Sequence, residues 1–553
     1  MKKSAFVLFS AIMISAGLSA FSQAAETSGT ENQLEAQANG GQSESESSVK
    51  TKYKIGNIEY VSNGKTNVAA LRRNVEINTE LTFDTRKELE AYAKNIVQQL
   101  QNKRLFDEVT KESKDNEPDE NGIVKVDYTI TVTDSKNFMV FPKPNYSSNS
   151  GLELKVKLKD SNFLGFMNPL NVDLNGQLGT SSNPDDFSKV TIGTNFDYSF
   201  PFQIGITENS WDNEFKFDWL IGDVPEVSFK TGITTAIPFG KNKLKVNVAQ
   251  SITRENDYVR YGDEFFFTEA GGISLPLTLG YIGDVTPVRY TPSISATYNW
   301  DVNGINPSNS NLIGPDIKIK QELAISRVNW TGNFRNGYSL NLSHYIAYNF
   351  ASEAIIPYLS VTAQFFKSFK YVGINARFFG YGEINKETNE IGSKLRGILD
   401  NQKFLGSTRK ALSTNAALQF SLDIPIHIVT TDWLGWAASL FGTYDSQKPG
   451  MQKFLSFPRK VFRQLNFELQ LSPFIDIALT DNRITGRTFS FLDGLYDAGI
   501  EVLIFPTKFK NYVVRASLGF DMGRTLLKDV VDMSWRDPNV KVYELFFGLG
   551  LQF

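Results

Sequence analysis

Val542 to Phe553 reads VYELFFGLGLQF, and this stretch decides the fold. Tyr543, Leu545, Phe547, Leu549, Leu551 and Phe553 are large and apolar, while Glu544, Gly548, Gly550 and Gln552 fall between them. The period is two, so the stretch is a strand with one apolar face. A chain that stops on such a strand leaves backbone donors and acceptors facing a partner from elsewhere in the sequence. The first strand of a closed barrel supplies that partner. The alternative is an edge strand of a soluble sandwich, and recurrence of the same alternation through about 400 preceding residues speaks against it.

The recurrence is plain. Leu152, Leu154, Val156 and Leu158 alternate with Glu153, Lys155, Lys157 and Lys159. Val190, Ile192, Phe196, Tyr198 and Phe200 share a face, as do Tyr338, Leu340, Leu342, Ile346, Tyr348 and Phe350. Tyr512, Val514, Ala516, Leu518 and Phe520 do the same. Apolar faces of this kind point at lipid and polar ones at a wet lumen, and strands of about ten residues make residues 136–553 an all-β transmembrane barrel of about sixteen antiparallel strands. Between Leu152 and the closing strand, the expected seam residues are Leu152, Leu154, Val156 and Leu158 against Leu545, Phe547, Gly548, Leu549, Gly550 and Phe553. Gly548 and Gly550 weaken that strand; they either prepare a lateral opening or relieve crowding inside the barrel.

Composition agrees. Aromatic residues make up 13% of the 553, with 43 Phe and 21 Tyr, yet the mean hydropathy is only −0.24. Past the N-terminal segment, nothing approaches the roughly 18–20 apolar residues of a spanning helix. Zero cysteines exclude disulfides and thiolate chemistry, and two histidines, His344 and His427, leave little for a metal centre. A net charge of −3 argues against nucleic acid as a partner. There is no Gly-x-Ser-x-Gly, and Gly64-Lys65-Thr66 lacks the upstream glycine of a phosphate loop. The expectation is a protein that is not an enzyme and has no cofactor or metal.

At the N-terminus, Lys2 and Lys3, the apolar run Ala5 to Leu18 and Ser22-Gln23-Ala24 predict a signal peptide over 1–24. A retained anchor is the alternative. Residues 25–51, rich in Glu, Ser, Gln and Gly, predict a disordered linker. Residues 52–135 change character. Ile58 and Tyr60 alternate, a helix follows around Val68 to Val75, and Thr85 with Glu88 forms a capping box. Leu89, Tyr92, Ile96, Val97 and Leu100 share one helical face, and Val124 to Val132 alternates as a strand. The order is β-α-α-β-β.

The phrases GNIEYVSNGKT, LTFDTRKELEAYAKNIVQQLQNKRLFDEV and VKVDYTITV in that order resemble a POTRA domain, present in one copy. Asp160-Ser161-Asn162-Phe163-Leu164-Gly165 resembles the NFLG phrase that follows the first barrel strand in the BamA/TamA superfamily, also called the bacterial surface antigen family. Gly392 to Ile398, GSKLRGI, is similar to that superfamily's Val-Arg-Gly-Phe/Tyr loop motif, with Leu395, Arg396, Gly397 and Ile398 in its places and Ile398 replacing the aromatic. Tyr496 to Pro506 and the ending in Phe553 are also similar.

The resemblance implies an outer-membrane barrel with a periplasmic POTRA domain, the loop motif folded into the lumen and two acids receiving its arginine. Asp423 and Asp476 occupy the matching positions, in Ser421-Leu422-Asp423 and Phe474-Ile475-Asp476. An arginine entering a confined lumen requires such carboxylates, because its desolvation is otherwise prohibitive. The implied partners are outer-membrane lipid, unfolded client polypeptides and accessory periplasmic proteins. The implied function is assembly, insertion or translocation of outer-membrane or secreted proteins. Insertion and secretion both stay open, and a passive, porin-like solute channel with a periplasmic spacer is the competing reading. One stretch breaks the alternation: Trp433, Leu434, Trp436, Leu440 and Phe441, then Lys453, Arg459, Lys460 and Arg463. It predicts either an amphipathic interfacial helix or an extra strand.

Overall fold

The computed structural model describes residues 51–553 apart from 148–150, 179–187, 255–264, 284, 301–314, 386, 400–411, 442–451, 453–464 and 511. The signal peptide over 1–24, residues 25–50 of the linker over 25–51 and the basic residues Lys453, Arg459, Lys460 and Arg463 therefore lie outside the described residues.

The N-terminal domain runs β1 (Lys52–Asn63), α1 (Val68–Asn74), β2 (Thr82–Phe83), α2 (Arg86–Asn102), β3 (Phe106–Pro118) and β4 (Ile123–Asp134), with sheet order β2-β1-β4-β3. Asn67 caps α1 by accepting from the Ala69 N–H. Thr85 and Glu88 complete a reciprocal capping box on α2, satisfying two donors that a helix start leaves free. Leu89, Ile96 and Leu100 are buried from α2 against Leu71, Val126 and Ile130. Each such side chain contributes about 1.5–3 kcal/mol of burial.

At the edge of that buried face, Glu90 receives Arg86, Lys111 and, at 3.1 Å, the Tyr128 hydroxyl. Burial alone raises the Glu90 carboxyl, but hydrogen bonds and charge from Lys111 and Arg86 overcome it and hold it down to about 2. A depressed carboxylate contributes stability that is present above its ordinary range and lost as pH falls toward its folded value. Glu90→Gln is therefore expected to flatten the loss of domain stability between about pH 5 and 2. The check is the denaturant midpoint of the domain in the full chain, read by pulsed hydrogen exchange over Arg86–Asn102. Parallel acid profiles for the two proteins would contradict this role.

From Phe138 onward the strands close on themselves. Strand Phe467–Asn482 shows why. Gln470, Ser472, Asp476 and Thr480 are buried and point inward, whereas Ile475 between them is exposed. Polar in and apolar out is the inverse of a soluble sheet and suits a wall between lipid and lumen. The ring has eighteen strands among the described residues, against the about sixteen suggested by spacing. Phe265–Ser274 with Leu277–Ile282 forms one interrupted strand, Ala416–Asp423 with Ile426–Thr430 another, and Arg487–Thr488 only extends a loop. The stretch after Thr430 is a helix, Trp433–Phe441. Strand Ala416–Asp423 therefore pairs directly with Phe467–Asn482, placing Ser421 opposite Asp476.

The NFLG turn does more than join two strands. Asn162 is fully buried; its amide donates to the Thr66 hydroxyl at 2.6 Å, and its carbonyl accepts from the Met167 N–H at 2.9 Å. Lys65 reaches Asp160 at 2.7 Å, and the Asn67 N–H donates to the Gly165 carbonyl at 2.9 Å. Gly165 has φ +79, and a Cβ there would stand 2.0 Å from the Lys65 carbonyl oxygen. Only glycine permits that approach. The turn is a latch between the N-terminal domain and the barrel.

The seam is not where the alternation suggested. The first barrel strand is Phe138–Ser147, and it, rather than the second, pairs with the closing strand Tyr543–Leu549 across the seam, Ser147 with Phe546 and Tyr146 with Phe547. Leu152, Leu154, Val156 and Leu158 belong to the second strand, Gly151–Asp160, and do not form the seam. The physical reason is Pro142 and Pro144, which interrupt the pattern of a strand in the sequence yet are tolerated at an edge. The Ser161 N–H donates to the Asn137 carbonyl. In the register given by Phe138 opposite Asp160, odd-numbered residues of the first strand therefore bond the second strand and even-numbered ones face the seam. Both prolines thus face the seam, where they supply no N–H. Extending the Tyr146–Phe547 register sets Pro144 opposite Leu549 and Pro142 opposite Leu551. At Gly550 the backbone turns away with φ +99.

Candidate functional site

The loop between strands Gly373–Glu383 and Ala416–Asp423 folds into the barrel. Ile391, Leu395, Ile398 and Leu412 are buried from it, against Phe379, Tyr381, Ala417, Ala478, Leu495 and Trp535. A short 3-10 turn, Gly392–Lys394, then delivers Arg396 to the wall. Ile398, in the place where the motif has an aromatic, is fully buried within this cluster.

Arg396 is held from several sides. Its Nε donates to Asp476 Oδ2 at 2.8 Å and its Nη2 to Asp476 Oδ1 at 2.8 Å, a bidentate fork. Nη2 also donates to Asp423 Oδ1 at 2.7 Å, and Nη1 lies 3.2 Å from Glu501 Oε1. The guanidinium stacks 3.7 Å over the Phe474 ring. Side-chain exposure is 4% for Arg396, 8% for Asp423 and 0% for Asp476, so none of these charges has water as a substitute partner. Gly397 follows because a Cβ would meet Phe520 backbone atoms at 2.7 Å. Across from it, a Cβ on Gly519 would stand 2.1 Å from the Arg396 carbonyl oxygen. Gly499 makes similar room for the Phe474 ring, 2.6 Å from where its Cβ would be.

The wall behind the loop is a field of buried charge. In register, Asp476 faces Asp497 on strand Leu495–Pro506, and Asp497 faces Asp521 on strand Val514–Asp521. Arg536, from the loop before the closing strand, pairs with Asp521, both fully buried. Beside Trp535, it brings a second loop into the lumen. Arg515 donates to Glu501 at 3.2 Å and stacks 4.2 Å over Phe546. The Phe553 ring lies 4.5 Å from the Arg377 guanidinium, and Arg335 donates to its carbonyl oxygen.

Leu395, Arg396, Gly397, Ile398, Asp423 and Asp476 are thus brought together at one place. Leu152, Leu154, Val156 and Leu158 stand apart from the closing strand. Leu545 and Phe547 are exposed outward, and Gly548 lies opposite Arg515. Glu501 and Asp497 were missed, although Asp497, Gly499 and Glu501 share the inward face of one strand by their spacing of two. Arg536 had no local signal at all. Among the described residues no cluster of His, Cys, Asp and Glu is arranged to hold a metal. What the arrangement can do is fix two loops and the closing strand to one wall.

A family model described as POTRA, surface antigen variable number repeat, matches residues 53–133. No curated protein matches the chain. Similar solved structures include BamA from Haemophilus ducreyi lacking POTRA domains 1–3, at 12% identity and TM-score 0.38, covering 89% of this chain and 84% of that one. CdiB from Acinetobacter baumannii is similar at 10% identity and TM-score 0.40, covering 90% and 73%. CdiB from Escherichia coli is similar at 10% identity and TM-score 0.39, covering 94% and 93%. Residues 53–133 match the POTRA family model and a closed barrel follows them, the build that the resemblance to the BamA/TamA superfamily implies.

Proposed function

We propose that this protein is an outer-membrane assembly barrel that accepts unfolded polypeptides through its POTRA domain, on the periplasmic side, and inserts them at the barrel seam. The observation that carries the reading is the seam, which among the described residues shows two residue pairs, beside a strand whose prolines withhold donors. Among the described residues every other junction of the ring shows more pairs. An incoming strand can exchange for so short a pairing while conserving backbone hydrogen bonds, which a bilayer requires. No covalent chemistry and no cofactor enter.

The POTRA sheet supports the first step. β2 pairs only with Tyr53 and Lys54 of the twelve-residue β1, so the rest of that edge has no strand partner among the described residues. An extended client can add there by backbone bonds. The loop clamp supports insertion over passive conduction, since two loops occupy the lumen beside the seam.

The test is a disulfide across the seam, Tyr146→Cys with Phe547→Cys, on a chain with no native cysteine. Directly paired residues stand within disulfide reach. Client insertion is expected to stop in the oxidised protein and to return on reduction. A crosslink within the wall, Ile475→Cys with Ala498→Cys, should leave insertion intact. Full activity with a verified seam crosslink sinks lateral insertion and leaves passage through the lumen.

A further inference from the structure

A cavity of about 470 Å³ lies where the POTRA domain meets the barrel, bordered by the end of the closing strand. Lys103 and Arg104 reach it from the end of α2, Lys157 and Lys159 from the second barrel strand, and Lys510 from the turn after strand Leu495–Pro506. No acid is among its described lining residues. Of these five cations only Lys157 forms an ion pair among the described residues, with Asp173 at 3.3 Å. Lys510 donates to the Phe106 and Asp107 carbonyl oxygens at 3.4 and 3.3 Å, and Lys159 lies 5.5 Å over the Tyr512 ring, so the partners of both are neutral.

Arg104 is the second observation. It ends α2 with φ +57, the left-handed conformation in which glycine usually closes a helix. The sequence sets a guanidinium there instead, 4.3 Å over the Trp330 ring, donating to the Lys510 carbonyl oxygen and, at 3.0 Å, to the Asn333 side chain. Glu468 is joined to it only through Asn333, which donates to that carboxylate at 2.8 Å. The lining is also apolar. Val513 is buried with Leu503 and Phe505, and Trp330 and Leu551 pack on that cluster beside the cavity. Direction is the third observation. Leu154 and Val156, at the alternate positions of the second strand, are exposed, so Lys157 and Lys159 point inward, away from lipid.

We infer that this cavity is a docking site for an acidic, aromatic-bearing segment of a client polypeptide between the POTRA domain and the seam. A client carboxylate meets Lys103 and Lys159, and the apolar side chain next to it packs on Tyr512, Val513 and Leu551. Successive side chains of an extended chain point to opposite sides, so one short segment supplies both. Hydrogen bonds between ammonium and carboxylate are charge-assisted, and in a partly enclosed space they are stronger than in water. A phospholipid fits less well, because the lysines of the second strand face the lumen. The site rests on the assembly reading above and adds to it the chemical class of segment that is held.

The test uses the full chain in phosphatidylcholine vesicles and a short fluorescent peptide that alternates Glu with Phe and carries a benzophenone in place of one Phe. Its photocrosslinks should fall on Tyr512 and Val513 or on Leu549 to Leu551. Exchanging its Glu for Gln should weaken binding about tenfold or more, as should the double substitution Lys103→Gln with Lys159→Gln. Lys103→Arg with Lys159→Arg should bind as the native chain does, and the heat-modifiable gel shift checks that each variant keeps a closed barrel. Equal binding of the Glu and Gln peptides overturns the site, and so does native affinity in the Gln variant. Displacement of the peptide by phosphatidylglycerol in the vesicles, or by inorganic phosphate, at concentrations no higher than the peptide's own would assign the cavity to a lipid headgroup or a free anion and overturn the client site. If the peptide crosslinks elsewhere while the seam disulfide still blocks insertion, the site falls and the assembly reading stands. If it crosslinks in the cavity while the seam disulfide leaves insertion intact, lateral insertion falls and the site stands.

Discussion

Arg396→Ala is expected to release the loop over 387–399 from the lumen and abolish client handling while the barrel remains in the membrane. The side chain answers Asp476 twice, Asp423 once and Glu501 at 3.2 Å, all nearly excluded from water. Removing it leaves three carboxylates buried together without their shared cation. Breaking a buried pair from one side costs about 3–5 kcal/mol, because the remaining charge has no compensation. The loop has only its apolar contacts through Ile391, Leu395, Ile398 and Leu412 to set against that cost. Two readouts check it. Hydrogen exchange over residues 387–399 should rise to the level of an external loop, and growth after depletion of the native protein should not be rescued. The heat-modifiable gel shift should persist, since the ring of strand pairs does not pass through Arg396. Retained protection with wild-type rescue would falsify the clamp. Arg396→Lys should recover little, because an ammonium cannot reproduce the bidentate fork on Asp476.

Gly519→Ala is expected to produce the same release with every charge in place. Its Cβ would fall 2.1 Å from the Arg396 carbonyl oxygen and 2.5 Å from the carbon, both backbone atoms of the loop. A flexible side chain could step aside, but a loop backbone pinned through its own guanidinium cannot do so without stretching the fork. Overpacking of this kind costs typically 1–3 kcal/mol, and the backbone contact puts this site at the upper end. Exposure of residues 387–399 to hydrogen exchange should increase, and client insertion should fall. Pairing along strand Val514–Asp521 should be kept, because the residue already lies in an ordinary strand conformation opposite Gly499 and Glu544. Unaltered exchange in Gly519→Ala would mean that the loop has room the structure does not give it. Together the two substitutions separate charge from fit at the same contact.

The lesson of the chain is uneven. A barrel was legible because alternation repeats locally in almost every strand, and local alternation is all that an inside–outside wall needs. The capping box at Thr85 and Glu88 and the apolar stripe of α2 were legible for the same reason. Arg396, Asp423 and Asp476 could be named because their phrases resemble those of the BamA/TamA superfamily, and the need of a buried arginine for carboxylates agrees with that choice. The stretch after Thr430 was visible as a break in the alternation, and the structure makes it a helix because nine uncharged residues begun at Asp432 suit about two and a half capped turns better than a rung of the wall.

The seam was hidden. Pro142 and Pro144 remove the sequence signal of a strand, and only the pairing of Phe138–Ser147 with its neighbour shows that both face the closing strand. Glu501, Arg515 and the Arg536–Asp521 pair were hidden for another reason. A single inward charge on a strand looks like any lumen residue until the closed ring sets it against its partner. So the sequence by itself determined the class of wall, the POTRA-like module and the residues suited to a buried clamp. The tertiary structure decided which strands close the ring, which charges meet and how the turn at Asn162 latches the two domains. Periodicity is a property of neighbouring residues, whereas closure, register and charge pairing join residues hundreds of positions apart, for which no local pattern is required.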